Sequence, residues 1–596
     1  MDSSSAVTME TFDVVIIGGG FSGLGYLKEL TANGVSATLF DNRHRVGGTL
    51  AHAYDDAVLT TSSAMSSFSD FIDYTPLSKP IVWTAVEFGE YLQAYVDKFD
   101  LAKLMRFRHM VSDVAPCSDV KGMKYTVSVE NLDTHEDAVV HCNHVVVASG
   151  AHIYDNKECV FSNIRGSETF TGTVLHTSEF VNIKNPLDMR GRRMLVVGTN
   201  ESAADVSYFC AKVAEQVDFS MRGKNGLYVP RYQGKYPLDM DTSRFHHGIP
   251  RPLRMVETSI RATYRCTAVK VMELLSGKSI DDCAAGMVVT QKLNMSPYNV
   301  EWPYITACKS ESFARAIAEY GSRVRPGICH IDGDTVVFKN GTREKYDLIM
   351  LATGYKRSFP FLKKHFPNLE CDVSGSMRNL FKNMLHPDYG IDFAFGGFVR
   401  PSIGAIPPLL ELQARYFALL CSGKKKPLEK SEILEIIAYD KRYNANVIGD
   451  ALRDYVTYAD EMASLIGCNI PFRQLFWSSP SLWMKAYLGP NHAGLYRLQG
   501  PGAKPEYVKR EIAKQSHMFQ PILFFLTIPL VLLFALCGML GSTTFRLISI
   551  KSHDGRKYND PRVKTEIIHP FAVMCRAAAY WWINLLYPNI VVNEGF

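Results

Sequence analysis

Three stretches of the chain are unbroken apolar runs that end on a glycine-bearing turn. They are Val14-Val15-Ile16-Ile17 before Gly18, Met194-Leu195-Val196-Val197 before Gly198, and Leu348-Ile349-Met350-Leu351 before Ala352-Thr353-Gly354-Tyr355. Runs this short, without polar alternation, predict parallel strands covered on both faces. Helical stretches alternate with them, so the expected class is α/β with three-layer domains. The C-terminal end reads differently. Residues 519–540 form 22 consecutive uncharged positions, a length that spans hydrocarbon, and their Pro521 and Pro529 suit a membrane helix better than a soluble one. Residues 567–592 are apolar but carry Arg576 and the aromatic group Tyr580-Trp581-Trp582, a mixture that predicts an interfacial or re-entrant segment.

Size and composition narrow the picture. At 596 residues the chain exceeds what one core usually holds, so at least two domains are expected. A net charge of +5, with Lys and Arg scattered among Asp and Glu, argues against a nucleic-acid partner. The 13 cysteines are dispersed without a Cys-x-x-Cys pair, and the polar stretch before Phe12 carries no secretory signal. Both point to folding in reducing cytosol with free thiols, which makes the sequons at Asn200 and Asn340 chance matches. No metal-ligand spacing stands out among the 17 histidines.

The first glycine turn carries specific chemistry. Gly18-Gly19-Gly20-Phe21-Ser22-Gly23 satisfies G-x-G-x-x-G between a strand and a helix. The first glycine makes the turn, the second admits a pyrophosphate to the backbone, and the third lets helix and strand pack closely. The helix N-terminus adds N–H donors and a positive dipole. A second strand ends at Asp41, whose carboxylate suits a ribose diol and repels a 2′-phosphate. Gly47-Gly48 then offers another close backbone approach, at the place where FAD proteins have one.

The second turn, Gly198-Thr199-Asn200-Glu201-Ser202-Ala203-Ala204-Asp205, lacks the second and third glycines. Its following strand, Val217-Asp218-Phe219-Ser220, leads into Met221-Arg222-Gly223-Lys224, so the strand end is basic. Arg222 offers a planar fork to a 2′-phosphate and favours NADP over NAD. Two dinucleotide sites of opposite polarity describe a flavoprotein that takes hydride from NADPH.

Between the two turns lies Phe170-Thr171-Gly172-Thr173-Val174-Leu175-His176-Thr177-Ser178-Glu179-Phe180, which is F-x-G-x-x-x-H-x-x-x-F. This resembles the fingerprint of flavin-containing monooxygenases. Residues 347–362 resemble the ATGY segment of that family, and residues 401–416 and 487–502 resemble C-terminal segments of its animal, microsomal branch. The resemblance implies two Rossmann-like dinucleotide-binding domains, with the NADP domain inserted in the FAD domain. The expected layout is a first FAD part at 10–186, an NADP domain at 187–330 and a second FAD part at 331–518. An anchor at 519–540 and a tail at 541–596 follow. By position, FAD contacts would be Gly18, Gly19, Gly20, Phe21, Ser22, Gly23, Asp41, Gly48, Thr49 and Leu50. NADP contacts would be Ser202, Ala203, Ala204 and Asp205, with Arg222 at the 2′-phosphate. His176 would belong to a linker between domains rather than act as an acid or base. One position departs from the family. Counting back from Asp70-Phe71 puts Thr60 where an asparagine beside the flavin is usual, followed by Thr61, Ser62 and Ser63. Thr60 and Ser62 are the expected catalytic contacts, and Thr60 and Thr61 expected cofactor contacts.

The implied reaction uses NADPH and O₂ to oxygenate a nucleophilic nitrogen or sulfur of a small molecule through a C4a-hydroperoxyflavin. The substrate would lie near residues 62–71 and 401–408. Three other readings stay open: an NADPH oxidase releasing H₂O₂, Baeyer–Villiger oxygenation of ketones, and a flavoprotein-like membrane adaptor without turnover. Four basic residues precede the anchor (Lys504, Lys509, Arg510, Lys514) and six follow it (Arg546, Lys551, Arg556, Lys557, Arg562, Lys564). That balance predicts a monotopic insertion with body and tail in the cytosol, and the resemblance to the microsomal branch implies that the membrane is that of the endoplasmic reticulum. The sequence assigns no oligomeric state.

Overall fold

The computed structural model describes residues 10–518 and 568–590, apart from 55–56, 183–186, 222–226, 234, 250, 296–306, 402 and 444–451. The first apolar run becomes β1 (Glu10–Ile17), followed by helix α1 (Phe21–Ala32) and β2 (Ala37–Asp41). A short strand β3 (Val58–Ser62) lies apart from the sheet these start. Next come β4 (Met105–Phe107), β5 (His109–Pro116), β6 (Tyr125–Asn131) and β7 (Asp137–Val147). The first sheet runs β4-β2-β1-β7-β6-β5. Its centre is β1, parallel to β2 on one side and to β7 on the other. Val14, Val15 and Ile16 are fully buried because both faces of β1 are covered, which is why the run shows no polar alternation.

The chain then crosses by β8 (Tyr154–Asp155) into a second sheet. That sheet comprises β9 (Thr173–His176), β10 (Arg193–Val197), β11 (Gln216–Ser220), β12 (Arg323–Arg325) and β13 (Leu348–Leu351). Its order is β9-β13-β10-β11-β12, and every pairing is parallel. Here the expected boundaries shift. The sequence layout ends the first FAD part at 186 and resumes it at 331, yet β9 and β13 belong to the second sheet. The reason is register: Thr173 to His176 pair with Leu348 to Leu351, and Met194 to Val197 pair with the same strand from its other side. Strand β14 (Tyr355–Lys356) returns antiparallel to β8, so a two-stranded ribbon marks the crossing. Strand β15 (Phe393–Phe395) then adds to the first sheet beside β7. The second domain is inserted in the first.

Helix α2 (Glu201–Ala211) follows the second glycine turn. Later, α3 (Arg251–Ser276) and α4 (Asp282–Met295) extend from the second domain, and α5 (Ile406–Cys421) packs against α1. The tail helix α6 (Ile568–Leu586) docks on α3 and α4. Its Arg576, read from sequence as the mark of an interfacial segment, is buried and donates to the Asn294 carbonyl. Lys292 Nζ caps the helix end through the Tyr587 and Ile590 carbonyls, at 2.7 and 2.6 Å. Trp581 and Leu585 stay exposed on the outer face of α6. Among the described residues no helix is long and apolar enough to cross a membrane, and residues 519–540, where the sequence predicts one, lie outside them.

A buried charge cluster ties the first domain to the C-terminal part of the chain. Arg497 donates to Glu29 on α1 (2.5 Å), to Glu411 on α5 (2.9 Å) and to the Ser69 hydroxyl (2.6 Å). Lys28 pairs with Glu29 and Asp70, and Glu411 also accepts the Ser69 amide at 2.7 Å. Removing one member of such a cluster leaves its partners charged and dry. Arg497→Met is therefore expected to cost roughly 3–5 kcal/mol, read as a lower denaturant midpoint. Burial raises the Asp70 carboxyl, but Lys28 and Arg497 outweigh it and hold the group at about 2. The stability Asp70 confers is thus complete above about pH 4 and is lost as pH falls toward 2. In Arg497→Met the gap between the folded and unfolded values of Asp70 narrows, so the stability lost between about pH 4 and 2 should be smaller than in wild type, which denaturant titrations across pH will read.

Candidate active site

The first glycine turn fits the backbone so tightly that side chains are excluded. Gly18 has φ +113°, and a Cβ there would lie 2.4 Å from the Ala148 carbonyl oxygen at the end of β7. A Cβ on Gly23 would lie 1.9 Å from the Gly18 carbonyl, so α1 packs directly on its own turn. Gly48, at φ +59°, faces Gly20 closely enough that its Cβ would stand 3.1 Å from the Gly20 Cα. These absences of side chain, with the first-turn amides of α1, form one wall of a cleft of about 870 Å³. Of the expected FAD contacts, Gly18, Gly20, Phe21, Ser22, Asp41, Gly48, Thr49 and Leu50 line it. Gly19 and Gly23 shape the turn from behind.

Asp41 ends β2 with its carboxylate already engaged. Oδ2 accepts the Gly19 N–H, and Oδ1 accepts the Arg43 N–H at 2.7 Å. The Arg43 guanidinium reaches the Gly48 carbonyl, so Asp41 and Arg43 bind the two glycine loops to each other. The donors, the short residues and the volume together fit a dinucleotide such as FAD.

The opposite wall was not legible as a site from the sequence. Ser149, Gly150 and His152 follow β7, Thr353, Gly354 and Tyr355 follow β13, and Gly397 and Arg400 follow β15. One signal was available: Phe393-Ala394-Phe395 before Gly396-Gly397 repeats the pattern of an apolar run ending in glycine. A Cβ on Gly397 would meet the Ser22 hydroxyl at 2.0 Å, so β15 delivers its turn onto the start of α1. Burial and nearby Arg400 push His152 down to about 4, which keeps its imidazole neutral at the cleft wall.

The Phe170–Phe180 fingerprint acts on this wall from outside. His176 Nε2 lies 3.1 Å from the Gly354 carbonyl, and its Nδ1 accepts the Ser178 N–H at 3.1 Å. The ring is thus a neutral strut that donates to the loop carrying Tyr355, and burial lowers its basicity further. Gly172 passes so close to the Asp347 carbonyl that a Cβ would stand 2.6 Å away.

The second turn repeats the first. Gly198, at φ +140°, would place a Cβ 2.3 Å from the Ala352 carbonyl at the end of β13. Beyond that glycine the expected NADP contacts divide. Ser202 is half-buried at the start of α2, while Ala203 and Ala204 are buried in the domain core. The Asp205 carboxylate is taken up by Tyr54 (2.6 Å), Ser310 (3.2 Å), Ser312 (3.1 Å) and Arg231 (3.5 Å), so it joins the two domains. Arg222 lies outside the described residues.

Thr60, Thr61 and Ser62 sit on β3, off the cleft lining. Thr60 is half-buried, and the Thr61 hydroxyl is 2.7 Å from that of Ser66. Ser62 is fully buried: its amide donates to Asp239 Oδ2 at 2.6 Å, and its hydroxyl faces the Met240 sulfur at 3.9 Å. Burial raises the Asp239 carboxyl against the pull of neighbouring Lys309. Ser62 therefore positions its strand rather than presenting its hydroxyl to the cleft.

The family described as flavin-binding monooxygenase-like matches residues 12–523. A 4-hydroxybenzoate brominase (decarboxylating) of Pseudoalteromonas luteoviolacea (strain 2ta16) is 31% identical over 82% of this chain and 90% of its own. Dimethylaniline monooxygenase [N-oxide-forming] 2 of Mus musculus is 30% identical over 82% of this chain and 89% of its own. Among solved structures, S-allyl-L-cysteine S-oxygenase from Allium sativum superposes with a TM-score of 0.52 at 19% identity, covering 85% of this chain and 99% of that one. Cyclohexanone monooxygenase with cyclohexanone bound gives 0.51 at 17% identity, over 77% and 98%. With a glycine-built dinucleotide cleft and a family match across most of its length, the chain belongs to the flavin-binding monooxygenase-like family.

Proposed function

We propose that the chain holds FAD in the glycine cleft and uses NADPH and O₂ to place one oxygen atom on a nucleophilic nitrogen or sulfur of a small molecule. The observation that carries this reading is the cleft between Gly18, Gly48 and Gly397, where three glycine turns leave room only for a ligand lying on backbone. When bound, the flavin supplies the redox chemistry, taking hydride from NADPH and passing on one atom of O₂. The protein binds, orients and excludes water. Amides at the start of α1 hold the pyrophosphate, and Asp41 faces the ribose. In the second domain the turn at Gly198 and Ser202 receives the NADP pyrophosphate, and Arg222 pairs with the 2′-phosphate. Thr60 offers donor and acceptor from one hydroxyl where the family has an amide, on a shorter arm. Residues 519–540 anchor this body to the endoplasmic reticulum membrane with its domains in the cytosol.

The brominase relatives support a second reading, in which bromide is the soft nucleophile and the oxidised bromide attacks a phenol. One assay separates the readings: NADPH consumed is compared with products from an amine, a sulfide, a ketone and bromide with 4-hydroxybenzoate, alongside H₂O₂ released. Oxygenated amine or sulfide matching NADPH is the expected result. Bromophenol alone establishes the second reading, an ester or lactone alone a Baeyer–Villiger enzyme. Stoichiometric H₂O₂ with every acceptor overturns all three in favour of an oxidase.

Two substitutions probe the binding sites. Gly18→Ala forces a Cβ against the Ala148 carbonyl and should yield protein without flavin absorbance, even after added FAD. Arg222→Gln removes charge-assisted bonds worth about 1.5–3 kcal/mol and should raise KM for NADPH roughly 10–100-fold while leaving that for NADH unchanged.

A further inference from the structure

The turn that joins β5 to β6 carries two metal-ligating side chains, Cys117 and Asp119, and β7 brings a third, His141, against them; the reaction above uses none of the three. Cys117 Sγ lies 3.6 Å from His141 Nδ1 and 3.4 Å from Asp119 Oδ1, and all three ligand atoms fall within 4.8 Å of one another. Their backbone is held in place. The Cys117 amide donates to the Lys124 carbonyl at 2.8 Å, the Met123 amide to Val120 at 3.2 Å, and the Lys124 amide to Cys142 at 3.0 Å. His141 is buried in β7 between Thr126 of β6 and Thr11 of β1, so its ring is oriented by the sheet.

We propose that Cys117, Asp119 and His141 form a binding site for a borderline divalent metal ion of the Zn²⁺ type. The two distances from sulfur match tetrahedral coordination. With Zn–S at about 2.3 Å and Zn–N and Zn–O at about 2.0 Å, a tetrahedron has sulfur-to-nitrogen and sulfur-to-oxygen edges of about 3.5 Å. Both sulfur edges lie within about a tenth of an ångström of that value. A thiolate and an imidazole select Zn²⁺ or Cd²⁺ over Mg²⁺ and Ca²⁺, which prefer oxygen. The Asp119 side is exposed, which leaves the fourth position to water. On binding, the Cys117 thiol loses its proton to solvent, and His141 Nδ1 gives its lone pair to the metal instead of to the Thr126 hydroxyl, now 3.2 Å away. The sequence shows no ligand spacing because a hairpin turn supplies two ligands and a neighbouring strand the third.

The site lies at the far end of the first sheet from the cofactor cleft. His141 precedes Val147 by six residues along β7, about 20 Å of strand. The ion would therefore staple the β5–β6 turn to β7 without touching the reaction. Cd²⁺ titration of the full-length flavoprotein, followed by the ultraviolet thiolate-to-metal band in difference spectra, tests this. One equivalent should produce the band in wild type, and Cys117→Ser should abolish it with the other cysteines intact. Asp119→Asn should weaken Zn²⁺ roughly 10–100-fold in competition. Zn²⁺, but not Mg²⁺, should raise the thermal midpoint of wild type while leaving that of Cys117→Ser unmoved, with turnover unchanged in both. A band of equal size in Cys117→Ser overturns the proposal, as does the lack of any band in wild type or a midpoint shift common to both chains.

Discussion

The molecule depends on one buried charge cluster. Arg497 sits where α1, α5 and the segment that follows β3 converge, and it binds a partner from each of them. Charges withdrawn from water are tolerable only when each finds its counter-charge and its hydrogen bonds. That requirement couples elements hundreds of residues apart: α1 cannot shift without stranding Glu29, nor the segment at Ser69-Asp70 without stranding Lys28 and Glu411. The consequence reaches the site. The N-terminus of α1 forms the cleft wall, and Thr60 lies on the strand leading into the same clamped segment. The cluster thus sets the distance between the cofactor turn and the residues expected beside the flavin.

The two domains solve one packing problem twice. In each, a central parallel strand ends in a glycine whose missing Cβ makes room for an alanine carbonyl at the end of the neighbouring strand. The alanine amide returns a 2.9 Å bond to the residue before the glycine, Ala148 to Ile17 and Ala352 to Val197. This separates the jobs of the glycines in a nucleotide turn. Gly18 and Gly198 are demanded by strand packing, so the second turn keeps its glycine although its later positions are Asn200 and Ala203. Gly20 and Gly48 instead lie against each other at the cleft wall, where a Cβ on Gly48 would stand 3.1 Å from the Gly20 Cα, and both line the cleft. The ribbon of β8 and β14 joins the two copies, and His176 braces its end through the Gly354 carbonyl.

The sequence by itself determined what local patterns encode: the buried strands, the turn glycines, the carboxylate at Asp41 and the family. Apolar runs with terminal glycines are legible because both burial and backbone approach act on neighbouring residues. Tertiary structure decided everything that rests on pairing between distant segments. Strand β13 belongs to the second sheet because its register with β9 and β10 outweighs its place in the chain. Arg576 is a structural donor because α6 folds back onto α4, and Asp205 is a domain link because Tyr54 reaches it from the other domain. Ser62 faces Met240 for the same reason: a strand's two faces are distinguishable in sequence, but what each face meets is not.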